Sequence, residues 1–320
     1  MALRRTALSA LLALLLPKAS AWAAAKPGQT LRVGYLSPGV NDLQRLKPVL
    51  AELGYVEGRN VTFEARMGPP EEADRLAREL VATRPDVIVG VINNYLSALQ
   101  KATRTIPIVM MWVANPVEHG LVKSLARPGG NITGPITLHE LSWTKLAQIA
   151  RDFAPAAPTI GFLASPLTPY HDLMASLARD AVRSWGGNVV VHEARDRAAL
   201  DAAFEAAARS GIRVMLVAPG PPFVNYQREI SQAALKHRVG WAGVQARNAQ
   251  QGALFGYGMD MASHYRDVAA VVDRIANGAD PATLPVTQPT LFEFAINARI
   301  AKELGLAIPA ALRIGADIVE

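Results

Sequence analysis

Short apolar runs alternate with amphipathic stretches along most of this chain, the pattern expected where parallel strands are covered by helices on both faces. Strands are predicted over 31–36, 61–65, 87–92 and 106–112, and a short fifth at 132–134 follows the Pro128-Gly129-Gly130-Asn131 turn. Between them, helices are predicted over 42–53, 71–83, 94–103 and 117–125. In the second of these Ala73, Leu76, Ala77, Leu80 and Val81 fall on one face, and Asn93 or Asn94 caps the third. The alternation then restarts, with strands at 159–164, 188–192, 214–217, 239–244 and 254–257. The accompanying helices lie at 169–185, 197–209, 223–236 and 262–276, the last ending on Asn277-Gly278, a natural C-terminal cap. The expected fold class is therefore α/β, with two doubly wound, Rossmann-like parallel-sheet lobes in tandem.

Length agrees with that division, since 320 residues suit two lobes of about 100–150 residues each. The first 25 residues stand apart. Arg4 and Arg5 precede an apolar, uncharged stretch from Ala7 to Leu16, Pro17 interrupts it, and Ala21-Trp22-Ala23 or Ala23-Ala24-Ala25 offers a cleavage site. These are the parts of an exported protein's signal peptide, here cleaved near Ala23 or Ala25. An uncleaved anchor or a buried first helix is the alternative. Cleavage at Ala23 removes three basic residues and no acid, lowering the formal charge from +6 to +3. With no basic run interleaved with aromatics, nucleic acid is not an expected partner. The chain has no cysteine, so lipid attachment, disulfides and thiolate metal sites are excluded. A periplasmic location without a lipid anchor is expected.

The motifs of common chemistries are missing. No G-x-G-x-x-G follows the first strand, and no G-x-x-x-x-G-K-[ST], G-x-S-x-G or H-E-x-x-H occurs. The six histidines show no metal-ligand spacing, so no metal, cofactor or catalytic residue is expected. Polar and aromatic residues gather instead after the strands, where ligands sit in doubly wound sheets. Ser37 and Asn41 follow the first strand, Asn93, Asn94 and Tyr95 the third, and Trp112 and Asn115 the fourth. In the second half Ser165, Thr168 and Tyr170 follow the first strand, and Phe223 and Gln245 fill later equivalent positions. Singly, each reads as a turn-former, cap or core aromatic. As one set lining one crevice they form the candidate ligand-binding site.

Several long words carry a resemblance. They are Glu52-Leu53-Gly54-Tyr55-Val56-Glu57-Gly58-Arg59-Asn60-Val61, Asn115-Pro116-Val117, the stretch from Gly120 to Gly134, Leu284-Pro285-Val286, Phe292 to Asn297 and Ala301 to Leu306. In order and spacing the chain resembles the ABC transporter substrate-binding protein family, whose characterised members include tryptophan- and tyrosine-receptor-like proteins. The resemblance implies the periplasmic binding protein type I fold: two lobes joined by a multi-strand hinge, closing on a solute like a Venus flytrap. On it, residues 30–136 plus 256–286 form one lobe and 137–255 plus 287–320 the other. It further implies a monomeric, non-enzymatic receptor for a small solute, amino-acid-like or a small aromatic or carboxylated metabolite, with an ABC permease in the cytoplasmic membrane as partner. A periplasmic sensor feeding a signalling protein, or a secreted enzyme, are the rival functions. The sequence departs from the family pattern at Asn115, where an acid is common, and at Asn93-Asn94-Tyr95, where small residues are common.

Overall fold

A computed structural model describes residues 29–39, 42–167, 171–183, 185–220 and 222–320. The predicted signal segment, Asn41, Thr168 and Tyr170 lie outside the described residues. Two separate sheets organise the chain. The first has the order β2-β1-β3-β4-β5, all parallel. Its strands are β1 (Leu31–Ser37), β2 (Val61–Met67), β3 (Val87–Val91), β4 (Ile108–Met111) and β5 (Ile132–Thr133). Helices α1 (Asp42–Glu52), α2 (Ala73–Ala82) and α3 (Ile92–Ala102) connect them. All five β3 residues are buried, as an apolar run covered on both sides requires.

The second unit begins with α4 (His139–Phe153), β6 (Thr159–Ala164), α5 (His171–Arg183), β7 (Asn188–Glu193) and α6 (Arg197–Arg209). It continues through β8 (Val214–Val217), α7 (Gln227–His237), β9 (Gly240–Gly243) and β10 (Phe255–Met259). The chain then returns to the first sheet as α8 (Met261–Ala276). It ends on the second unit with β11 (Phe292–Asn297), α9 (Ala298–Leu304), α10 (Ala310–Arg313) and β12 (Asp317–Val319). The second sheet has the order β12-β11-β10-β9-β8-β6-β7, with β11 antiparallel to β10.

Each sheet has its own apolar core. On the first, Val33, Tyr35, Val89 and Met111 meet α1 and α8 through Leu46, Leu50, Val268 and Val272. The opposite face packs Ile88, Ile108 and Met110 against Leu76, Leu80, Leu96 and Leu99 of α2 and α3. The second core is separate and joins Phe162, Leu216 and Phe255 to Leu146, Phe204 and Ile230. Caps set several helix starts. Asp196 accepts from Ala199 N at 3.0 Å before α6, and Asp260 from Ala262 N and Ser263 N at 2.8 and 3.1 Å before α8.

Three expectations change. The helix predicted over 117–125 is a winding loop. Asn115 and Gly120 both stand at positive φ, leaving room for one turn closed by Gly120 N to Val117 O, after which Lys123 N turns to Pro128 O. The helix predicted over 223–236 is split: Phe223–Asn225 make a short 3₁₀ turn, and Tyr226 (φ −113°, ψ 19°) breaks the path before α7. Strand β10, which a boundary at 256 assigns to the first lobe, is hydrogen-bonded between β9 and β11 in the second sheet. Helix α4 and the elements after α8 carry no prediction from the sequence pattern and complete the second unit.

Candidate functional site

The chain passes between the two units three times: at 134–138, at Asp260, and at 287–291. These crossings are tied to one another. Ile136 N donates to Thr287 O at 3.0 Å, Thr287 N to Gly134 O at 3.4 Å, and Asp260 N to Leu291 O at 3.0 Å. Gly134 sits at φ 132° with its α-carbon so close to β4 that a β-carbon would lie 2.7 Å from Met110 N, so only glycine starts the first crossing. The first crossing leaves the carboxyl end of β5 and the second that of β10. The third enters β11 beside that same end, through the Met259–Phe292 pair. The topology therefore brings the carboxyl edges of both sheets next to the linking strands, where open α/β sheets bind ligands.

On the first unit this edge is strained. Among the described residues, five non-glycine residues adopt positive φ. Arg84 and Arg238 close helices α2 and α7, where the left-handed conformation is ordinary. The other three are Ile92 (55°) after β3, and Trp112 (56°) and Asn115 (46°) after β4. A β-branched residue there is a genuine outlier, and such conformations cost of order 1–3 kcal/mol each and cluster at ligand sites. Asn93 holds the two loops together, its Nδ2 donating to Ala114 O at 2.8 Å and its Oδ1 accepting from Ala114 N at 3.3 Å. Trp112, half-buried, stacks on His264 of α8 at 4.2 Å between ring centroids and meets Tyr265 edge-on at 5.6 Å. The Tyr265 hydroxyl donates to Asp42 Oδ1 at 2.5 Å. Burial, and then that carboxylate, raise the Tyr265 phenol well above its ordinary pKa, so it stays a donor.

The sequence-predicted residues divide into distinct roles here. Ser37 and Ser165 occupy equivalent positions after the first strand of each unit. Both are fully buried turn-formers, accepting at 3.3 Å from Gly39 N and Leu167 N respectively. Asn94 is exposed on a shallow depression of about 280 Å³ shared with Pro70, Glu71, Asp74, Ser97 and Lys101. Tyr95 points the other way. It is fully buried in the core between α3 and α2, and its hydroxyl donates to Gly68 O at 2.6 Å. Trp112 and Asn115 stand half-buried at the carboxyl edge. On the second unit Phe223 and Gln245 line one recess, with Trp241 and Arg247, between the loops after β8 and β9. Ile92, His264, Tyr265 and Arg247 belong to these walls and were not singled out in the sequence. A helix beginning directly after a strand, as at Met261, is the signal that would have found the His264-Tyr265 pair.

The loop after β9 rests flush on β10 because that strand carries glycine at 256 and 258. A β-carbon there would lie 2.0 Å from Gln245 O or 1.9 Å from Val244 O. Among the described residues no group of three or more His, Asp and Glu could hold a metal ion, and no helix is long and apolar enough to cross a membrane.

Comparison with known proteins places this geometry. The family model described as ABC transporter substrate binding protein matches residues 41–319. A tyrosine-binding protein of Clostridioides difficile (strain R20291) is 25% identical over 259 residues, covering 80% of this chain and 74% of that protein. Among solved structures, a conserved domain protein of Vibrio cholerae is 27% identical with a TM-score of 0.75, covering 91% of this chain and all of that one. The ABC domain from Streptococcus pneumonia in complex with L-Trp shares the fold, with TM-score 0.74 at 21% identity over 91% of this chain and 100% of that chain.

Proposed function

Since the chain belongs to the ABC transporter substrate-binding protein family, whose members bind solutes and are not enzymes, we propose that it is the extracytoplasmic receptor of an ABC importer. It acts as a monomer, captures a small amino-acid-like or aromatic solute between the two carboxyl edges, and delivers it to a membrane permease. One observation carries this reading: a strained, aromatic edge on one unit and a recess on the other, beside three mutually hydrogen-bonded crossings. The recess on the second unit measures about 60 Å³. Complete ligand pockets run to roughly 300–1,000 Å³, so this one receives only part of a solute. The other unit must supply the rest, which is the logic of a clamp.

Closure follows from that division. A solute touching both edges favours the closed arrangement by its differential contacts. Moving the population from 1:99 to 99:1 takes about 5.5 kcal/mol. Two or three hydrogen bonds to charged groups, at about 1.5–3 kcal/mol each, cover that range when joined to contact with Trp112. The likeness to a tyrosine-binding protein supports an amino acid as the first class to try.

The test is a thermal-shift screen of amino acids and aromatic acids against the mature chain, followed by small-angle scattering with any hit. A true solute at a hundred times Kd adds about 2.7 kcal/mol of stability and reduces the radius of gyration. A hit that stabilises without compaction would remove hinge closure from the mechanism.

A further inference from the structure

The recess on the second unit has mostly apolar walls, with Gln227, Gln245 and Asn248 as its uncharged polar residues. Val217, Phe223, Val224, Ile230 and Trp241 form its walls, and Trp241 is anchored by its Nε1 donating to Ser231 Oγ at 3.0 Å. Among the described residues that line it, Arg247 is the only charged one. That side chain is exposed and forms no ion pair with any described residue. Its Nε donates to Gln245 Oε1 at 2.6 Å, which fixes the plane of the guanidinium, while neither Nη group bonds a described residue.

Gln245 is itself held firmly. Its backbone N donates to Asn248 Oδ1 at 3.1 Å, its side chain accepts in return from the Asn248 backbone, and Asn248 Nδ2 donates to Gln251 Oε1 at 3.1 Å. The backbone of Val244, Gln245 and Ala246 lies against the two glycines of β10. The guanidinium is thus preorganised at the mouth of an apolar recess before any ligand arrives, which reduces the ordering cost of binding. With Nε engaged, the planar fork keeps its Nη1–Nη2 edge free, which matches a carboxylate, and a lone cation matches no second anion.

We infer that Arg247 is the anion-recognising residue of the second unit, that Gln245 acts as its positioning residue, and that the solute class is a carboxylate on an apolar, ring-bearing body. This rests on the clamp reading above and narrows it: the carboxylate is obligatory, and the ammonium group of an amino acid is not. The carboxylate takes the Nη edge of Arg247, and the apolar body lies between the recess and the half-buried Trp112 ring.

Titration calorimetry on the mature chain with L-tryptophan, 3-(indol-3-yl)propionate and tryptamine tests this. The first two should bind and tryptamine should not. Arg247→Met should weaken both acids at least tenfold, Arg247→Lys should fall between wild type and Arg247→Met, and Gln245→Ala should weaken both acids with the Arg247→Met pattern of selectivity. Near-UV circular dichroism verifies that each variant is folded. Tryptamine binding as well as the acids, or acid binding unchanged in Arg247→Met, would overturn the role of Arg247 while leaving the clamp intact. Failure of wild-type protein to bind these three, a panel of phenyl- and branched-chain carboxylates, or any hit from the thermal-shift screen would sink the proposed function and this inference together. A screen hit that lacks a carboxylate would overturn the inference alone.

Discussion

Replacing Gly258 by alanine separates the geometry of the second-unit recess from the stability of the fold. In β10 this glycine pairs with Glu293, and its backbone φ is not in the left-handed region, so alanine meets no conformational penalty of its own. The obstacle is contact. The added β-carbon would lie 1.9 Å from Val244 O and 2.8 Å from its carbonyl carbon, whereas real β-carbons essentially never approach closer than 3.0 Å. Because the obstructing atoms are backbone, no rotamer change relieves the clash, and residues 244–246 must move outward by an ångström or more. Overpacking of this kind costs about 1–3 kcal/mol. At roughly 2–4 °C per kcal/mol for a unit of this size, the melting temperature should fall by about 2–12 °C. A domain stable by about 5–15 kcal/mol remains folded after such a loss. The same movement carries Gln245 and Arg247 away from the recess, so binding of a carboxylated solute should weaken far more than the fraction folded does. Differential scanning calorimetry and titration calorimetry on Gly258→Ala measure the two effects. Gly130→Ala is the control, because a β-carbon there meets nothing within 4 Å and the backbone φ is not positive. If Gly258→Ala melts and binds like wild type, the placement of the loop on β10 is wrong, and with it the preorganisation of Arg247.

Three further outcomes are expected. Trp112→Ala removes the stack on His264 and the edge contact with Tyr265, aromatic pairs worth about 0.5–1.5 kcal/mol each beyond area burial. It should weaken any solute at least tenfold in fluorescence or calorimetric titration, with unchanged far-UV dichroism. Tyr95→Phe deletes the 2.6 Å bond to Gly68 O, so chemical denaturation should register a loss of about 0.5–1.5 kcal/mol with solute affinity within twofold of wild type; a large affinity loss would return Tyr95 to the binding surface. His192 on β7 is half-buried, its Nε2 bonds no described residue, and burial holds its pKa below the ordinary imidazole value of 6.5. The fold therefore favours the neutral ring, and the contribution is complete above about pH 6.5 and lost as pH falls through and below that value, where the unfolded chain gains a proton more readily. His192→Gln should flatten the decline of melting temperature between pH 7 and pH 5, and an unchanged slope would assign that decline elsewhere.

Much of the architecture is legible in the amino-acid order alone. Strands β1, β3, β6 and β8 stand within about a residue of their apolar runs, because a strand buried on both faces must be continuously apolar and short. Helix α6 matches its pattern from Arg197 to Arg209 because Asp196 caps it and Gly211 follows it. The gathering of the polar and aromatic loops after the strand ends is equally legible, since the connection order of a doubly wound sheet decides which strand ends carry loops. The direction of individual side chains is not. Asn94 and Tyr95 are neighbours in the sequence, yet a turn of about 100° per residue sends one to solvent and the other beneath α2, and the helix phase depends on where Ile92 begins it. Pairings between distant segments are likewise invisible along the chain. Trp112 meets His264 and Tyr265, Thr133 Oγ1 donates to Leu284 O at 2.7 Å, and β11 turns antiparallel onto β10, all through contacts between residues more than thirty positions apart. Periodicity is a local property and dictates local structure. The crossings, the membership of β10 in the second sheet and the seating of the 244–246 backbone on two glycines are decided by which surfaces meet after the chain has folded.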